Sequence, residues 1–375
     1  MKRREFVAAA AAFSLVGQVR GAEPGVSDGE VVFGQTGILS GPLGQQIKTM
    51  LAGAALAFDA NAAAGGVHGR RVRIASLDDE LRPDKAVANY QELLTQQRVF
   101  GFFGCVGSAT TAAAANVLQQ SGAPLVGGYA VADSARDKVK GAGYYLRATS
   151  GREAEVLVQH LTTIGVTRIG VAVLDNPGGQ EARALISGAL EKHGLQPVSV
   201  AAVKGDASNA AQAAGTLAAG QPQAVLMYLG GVLPGELMKA SWAIGTHPMF
   251  YGMSIVAGEV TAKVAGAKAR GLAISQVVPY PWGELDPVVR AYRSSAQANK
   301  VPIGYYSFEG YLNARVLLEA LTRCGRDLTR TRLHTTMRSL KLRLAGMDLD
   351  FTAGGHTGSR FVELVQVSVD GKFIR

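Results

Sequence analysis

Residues able to do chemistry are sparse in this chain of 375 residues, and the best-spaced group lies between Gly104 and Thr110, where a glycine-bearing loop runs straight into a predicted helix. At that helix N-terminus the free N–H groups of Ala109 and Thr110, with the hydroxyls of Ser108 and Thr110, would face an anion. A carboxylate suits such donors. Ser108 would also cap its own helix, and the two roles are compatible because a cap at a cleft edge is still a donor. Catalytic patterns are weaker. None of the six histidines recurs at metal-ligand spacing: His160 and His193 fall on predicted helices and His334 among arginines. The run from Gly178 to Arg183 is not a phosphate loop, and no GxGxxG opens the first helix. Cys105 and Cys324, far apart and without a paired histidine, do not compose a zinc site. They read as buried thiols, with a disulfide left open. No enzyme activity, cofactor or metal is expected.

The elements that must carry the loop at residue 104 begin with Asn61 to Ala86, NAAAGGVHGRRVRIASLDDELRPDKA. An alanine-rich helix stops at Gly65-Gly66, where glycine takes positive φ without a Cβ clash. A strand follows from Arg71 to Ser76, and Pro83 opens the next helix at a position that needs no N–H partner. Strand and helix alternate throughout. Val31 to Gln35 precedes a helix from Gln45 to Ala64, with Ile47, Leu51, Ala54, Ala55 and Phe58 on one face. A helix over Asp84 to Gln97, a strand over Val99 to Phe103, a helix over Ala109 to Ser121 and a strand over Pro124 to Gly127 continue the series. It restarts with a helix at Arg152 to Ile164 and builds a second set of strands, ending at Gly271 to Ser275. Repeated βα units predict an α/β protein with parallel sheets covered on both faces, and ligands bind such sheets at the carboxyl ends of the strands.

Composition agrees, with 47% apolar and 18% charged residues, enough core for two domains. The formal charge of +9 invites a nucleic-acid reading. Four of the 38 basic residues and one of the 29 acidic residues lie in the first 21, so removing that segment leaves +6. The remaining basic residues are scattered, densest at Arg323 to Arg343 on predicted helices, and no nucleic-acid module accompanies them. Nucleic acid is not an expected partner. Residues 1–21 read as a signal peptide. Lys2-Arg3-Arg4 precedes an apolar run, Phe6 to Val16, too short to span the ~30 Å core of a bilayer, and Val19-x-Gly21 supplies small residues for cleavage. Arg3-Arg4-Glu5-Phe6-Val7 also resembles a twin-arginine signal; a Sec signal holding two arginines is the alternative. Either way the expected location is the periplasm.

Asn61 to Ala86 resembles the first lobe of the branched-chain amino-acid (Leu/Ile/Val) binding proteins, the type I periplasmic receptors of ABC importers. GILSGPLGQQ from Gly37, FFGCVGSATTAAA from Phe102 and YSFEGYLNARVLLEAL from Tyr306 follow in that family's order and spacing. The resemblance implies a two-lobed type I periplasmic binding protein, each lobe a mostly parallel sheet flanked by helices, with three hinge crossings. Lobe one would take residues 22–147 and 282–346, and lobe two 148–281 and 347–375, with Met347 to Arg375 as a last hairpin in lobe two. It further implies a monomer that delivers a small solute to permease and ATPase subunits. By the same resemblance, Leu39, Ser40, Ser108, Ala109, Thr110, Tyr129 and Ala130 line the cleft from lobe one. Arg152, Gly178, Val232 and Ser254 line it from lobe two, with Tyr280 at the second crossing. Arg152, the permanently charged donor among them, would pair bidentately with a carboxylate.

The chain departs from the family where amino-acid receptors hold two tyrosines and a glutamate for the ligand's ammonium; it offers Gly178, Val232 and Ser254 instead. An ammonium enclosed there would lack its opposite charge, which is costly. The expected ligand is a carboxylated, partly apolar molecule, an aromatic or branched organic acid. Branched-chain amino acids are the alternative, with Asp175 or Glu259 supplying the acid from another direction. A transcription regulator of the same fold would begin with a helix-turn-helix in place of a leader. A ligand-sensing partner of a membrane receptor remains an alternative to a transport receptor.

Overall fold

The computed structural model describes residues 23–353, 356–368 and 372–375; the leader lies outside them. The first half runs β1 (Glu30–Gly37), α1 (Gly41–Ala63), β2 (Arg71–Asp78), α2 (Pro83–Thr95), β3 (Gly101–Phe103), α3 (Ser108–Ala113), α4 (Ala115–Ser121), β4 (Leu125–Val126), α5 (Asp133–Lys138) and β5 (Gly143–Tyr144). Its strands form a parallel sheet of order β2-β1-β3-β4-β5. β1 is buried from Val31 onward on both faces, as a covered parallel strand must be.

The chain then enters α6 (Ser150–Thr163), β6 (Ile169–Leu174), α7 (Pro177–Glu191), β7 (Ser199–Val203), α8 (Ala210–Ala219), β8 (Ala224–Tyr228), α9 (Leu233–Ala243), β9 (Met249–Gly252), α10 (Gly258–Ala265) and β10 (Ala273–Gln276). Three helices follow, α11 (Pro287–Ala298), α12 (Tyr305–Cys324) and α13 (Arg330–Ser339), and then β11 (Lys341–Leu344), β12 (Met347–Asp350), β13 (Glu363–Val367) and β14 (Phe373–Ile374). The second sheet has the order β14-β13-β10-β9-β8-β6-β7, parallel from β10 to β7 and antiparallel at β13 and β14.

Helix α12 returns to the first half and packs on α1, where glycines let the two backbones touch. A Cβ on Gly53 would stand 1.8 Å from the Ser307 carbonyl oxygen, and one on Gly310 1.9 Å from that of Met50. No larger side chain fits between them. Fifteen of the twenty residues of α12 are buried, the pattern of a helix covered on all sides.

The chain passes between the sheets three times: between β5 and α6, between β10 and α12, and between β12 and β13. The first and third passages run side by side, with the Tyr145 N–H donating to the His356 carbonyl at 2.6 Å and the Gly358 N–H to the Tyr145 carbonyl at 2.7 Å.

Several elements differ from the sequence reading. Met347–Asp350 pairs with Lys341–Leu344 in a separate two-stranded hairpin, so β13 and β14 alone add to the second sheet. The helix expected over Ala109 to Ser121 is broken at Ala114, whose ψ of 0° interrupts the α-helix. Helices α5 and α10 have six and eight residues, too few for apolar periodicity to show. Cys105 and Cys324 are free and buried; burial pushes the Cys105 thiol up to about 12, so it behaves as a small apolar group.

Candidate functional site

Charged side chains are rarely buried unless paired, and four of them meet between the two sheets. Arg147, on the first passage, is 6% exposed; Glu153 in the first turn of α6 is 3% exposed and Glu309 on α12 is 4% exposed. Arg147 Nη2 donates to the Ser254 hydroxyl and lies 3.9 Å from Glu153 Oε1, while Nη1 lies 3.7 Å from Glu309 Oε1. The guanidinium carbon also stands 5.2 Å above the Tyr129 ring. Burial works against the charge of Arg147, but Glu309 and Glu153 together outweigh it and hold the pKa above its ordinary value.

The two carboxylates are served unequally. Glu153 accepts from the Ser254 N–H at 2.7 Å, the Ser254 hydroxyl at 2.9 Å and the Ser275 hydroxyl at 2.7 Å. Glu309 Oε1 accepts no hydrogen bond from any described residue, and burial raises its pKa, with Arg147 opposing the rise.

The fourth charge, Arg136, holds the passage that carries Arg147. Its guanidinium donates to the carbonyls of Val131, Arg147 and Ala148 and to the Thr357 hydroxyl, over distances of 3.0 to 3.2 Å. Its donors are spent on three backbone carbonyls and one hydroxyl of the protein, which makes Arg136 a positioning residue. Nearby, Asp133 accepts from the N–H groups of Ser150 and Gly151 at the start of α6 at 3.1 and 3.0 Å. The neighbouring Ser134 donates through its N–H and its hydroxyl to Glu181 on α7. These contacts join α5 of the first half to α6 and α7 of the second, so the cleft is shut along this edge.

Tyr129, Arg136, Arg147, Glu153, Tyr228 and Ser254 wall a cavity of about 20 Å³, room for little more than one water. A solute of several heavy atoms enters only if the halves part or side chains swing aside.

Three of the twelve residues expected from sequence line this cavity, and the others lie beside it or elsewhere. Tyr129, Ala130 and Ser254 line it. Leu39 packs in the same apolar cluster as Tyr129 and Ala130, along with Tyr306. Ser108 joins indirectly, donating to the Ala130 carbonyl and accepting from the Ala132 N–H. Thr110 is buried, and its hydroxyl turns back to the carbonyls of Val106 and Gly107; Ala109 and Ser40 are exposed. On the other half, Gly178 lies in the first turn of α7 and Val232, 43% exposed, at the start of α9. Tyr280 stands apart, donating to the Phe373 carbonyl at 3.0 Å beneath the Arg375 guanidinium. Arg152 also lies elsewhere, 3.6 Å from Glu155 in a groove between α6 and α7.

The charged center itself, Arg147 with Glu153 and Glu309, was not singled out from sequence. Its one signal is a solitary charge within an apolar run, Arg147 in YYLRA and Glu309 in YSFEGYL.

Residues 30–372 match a family model described as periplasmic binding protein. The fold is similar to that of an extracellular ligand-binding receptor from Verminephrobacter eiseniae, at 24% identity and a TM-score of 0.85, over 92% of this chain and 100% of that one. It is also similar to a substrate-binding periplasmic protein from Ralstonia solanacearum, at 27% identity and 0.84, over 92% and 99%. A branched-chain amino acid ABC transporter protein from Thermus thermophilus, solved with bound valine, shares 16% identity at 0.82, over 93% and 96%. No curated protein matches the sequence. Two α/β lobes joined by three passages and a match over nearly the whole chain show that this chain belongs to the periplasmic binding protein family, whose members are solute-binding receptors, and has its type I fold.

Proposed function

We propose that this protein is an exported receptor that captures a small carboxylated, partly apolar solute between its lobes and delivers it to an ABC importer. The observation that carries this reading is Arg147, a buried cation between the halves that is held by ion pairs of 3.7 and 3.9 Å rather than by tight salt bridges. A ligand carboxylate arriving at Arg147 would replace the long contact to Glu309 with charge-assisted hydrogen bonds. Tyr129 and Tyr228 would flank its apolar part. The lobes would be residues 22–147 with 282–346 and 148–281 with 347–375, closing about the three passages, and residues 1–21 would direct export to the periplasm. Closure follows from the ligand's higher affinity for the closed state, and an importer that recognises the closed shape takes up only loaded receptor.

A second reading, a branched-chain amino acid, draws on the valine-bound relative and on Glu153, which bonds to Ser254 and so returns an acid to the position where the sequence lacks one.

Thermal unfolding of residues 22–375 with aromatic acids, branched acids and amino acids tests the proposal. Ligand at 100 times its dissociation constant stabilises by about 2.7 kcal/mol, a rise of a few degrees in the midpoint. No rise with any carboxylate would refute it.

A further inference from the structure

A second small cavity adjoins the first and shares only Ser254 with it. Its walls include Glu259 of α10, Gln276 of β10, and Tyr305, Tyr306 and Glu309 of α12. Two carboxylates face this space and none of its walls is basic. Glu309 and Tyr305 are 4% and 7% exposed, and Glu309 Oε1 and the Tyr305 hydroxyl have no hydrogen-bond partner among the described residues. The nearest cation to Glu309 is Arg147 at 3.7 Å, too long for a hydrogen bond. Glu259 reaches water at the rim and forms no ion pair among the described residues; the protein packed around it nonetheless pushes its carboxyl upward.

A buried carboxylate is costly without an opposite charge, and aromatic faces beside such a carboxylate add attraction for a cation. Glu153 cannot serve in the same way, because Ser254 and Ser275 occupy its oxygens with three hydrogen bonds, whereas Glu309 Oε1 accepts none from any described residue. The place of the cation follows from like-charge repulsion. A basic group on the carbon next to the ligand's carboxylate would confront the Arg147 guanidinium at short range. The two cavities share only Ser254, so a basic group held between Glu259 and Glu309 lies in a different cavity from a carboxylate held at Arg147.

We propose that this second cavity is a cation subsite, and that the ligand is an amino or guanidino acid whose carboxylate and basic group are separated by several bonds. The inference rests on the receptor reading above and narrows it. Arg147 holds the acid end, the tyrosines cover the methylene chain, and Glu259 with Glu309 hold the basic end.

Three five-carbon acids of equal chain length test it by isothermal titration of residues 22–375: pentanoate, 2-aminopentanoate and 5-aminopentanoate. The expected result is at least tenfold tighter binding of 5-aminopentanoate than of the other two, with Glu259→Gln, on the solvent side of the cavity, bringing the ratio toward one. Glu309→Gln should act in the same direction, and the Glu259 variant keeps the test decisive should the buried substitution unfold the protein. Equal or tighter binding of pentanoate or 2-aminopentanoate overturns the subsite while leaving a carboxylate receptor in place. A preference unchanged by Glu259→Gln also overturns it. Binding of none of the three overturns it as well, and the wider panel of acids then decides whether the receptor reading falls with it.

Discussion

Arg147 Nη1 and Glu309 Oε1 stand 3.7 Å apart with both side chains buried, one on the first passage between the sheets and the other on the helix packed against α1. With Glu153 on the opposite side of the guanidinium, one cation serves two carboxylates that come from different halves of the molecule. Arg147→Met would leave both acids without it. Removing one partner of a buried pair typically costs about 3–5 kcal/mol. Urea unfolding should show a loss of that order, and a loss under 1 kcal/mol would mean that the cluster is not a paired unit.

The contact of α1 with α12 predicts a packing defect on adding one methyl group. In Gly310→Ala the new Cβ would lie 1.9 Å from the Met50 carbonyl oxygen, so the helices must separate. Overpacking of this kind costs about 1–3 kcal/mol or more. The denaturation midpoint should fall with little change in slope, whereas Gly188→Ala within α7, where the new Cβ meets nothing within 4 Å, should leave stability unchanged or raise it by up to about 1 kcal/mol through helix preference.

Glu363 predicts a pH dependence. Burial raises its carboxyl from 4.5 to about 7, with Arg375, 3.5 Å away, opposing the rise. The folded state therefore holds a proton that the unfolded chain releases near 4.5, and stability falls as pH rises from about 4.5 to about 7. At most about 3 kcal/mol is at stake, from a shift of that size at 1.36 kcal/mol per unit. In Glu363→Gln this part of the pH profile should flatten, which melting curves of the two proteins across pH 4 to 8 would register.

Ser134 and Glu181 should influence how readily the halves part. Ser134→Ala removes the hydroxyl donor from the edge joining α5 to α7. A loss of about 1 kcal/mol at this partly exposed hydrogen bond would shift the open–closed balance about fivefold. Small-angle scattering of the variant should give a larger radius of gyration than the parent protein, with the melting midpoint nearly unchanged.

The alternation of strand and helix was legible because its elements are long or uniformly apolar. Ile169–Leu174 is a pure apolar run, and Gly65-Gly66 stops the chain just after α1. The loop at 104–110 was legible as a loop, but not the direction of its hydroxyls: Thr110 bonds to its own turn, a local competition that residue type does not disclose. The charged cluster was hidden by distance along the chain. Ser254 is 107 positions from Arg147, and only the assembled sheets bring them together. Arg152, five residues from Arg147, carries the same charge, and the turn into α6 sends its side chain to Glu155 on the outer face.

The most direct test of the receptor account is isothermal titration of residues 22–375 with the acid that raises the melting midpoint most, alongside its uncharged carboxamide. The account predicts saturable binding of the acid and at least hundredfold weaker binding of the amide, since the amide leaves Arg147 without an incoming negative charge. Equal affinities for acid and amide would contradict the role assigned to Arg147 and with it a carboxylate as the recognised group.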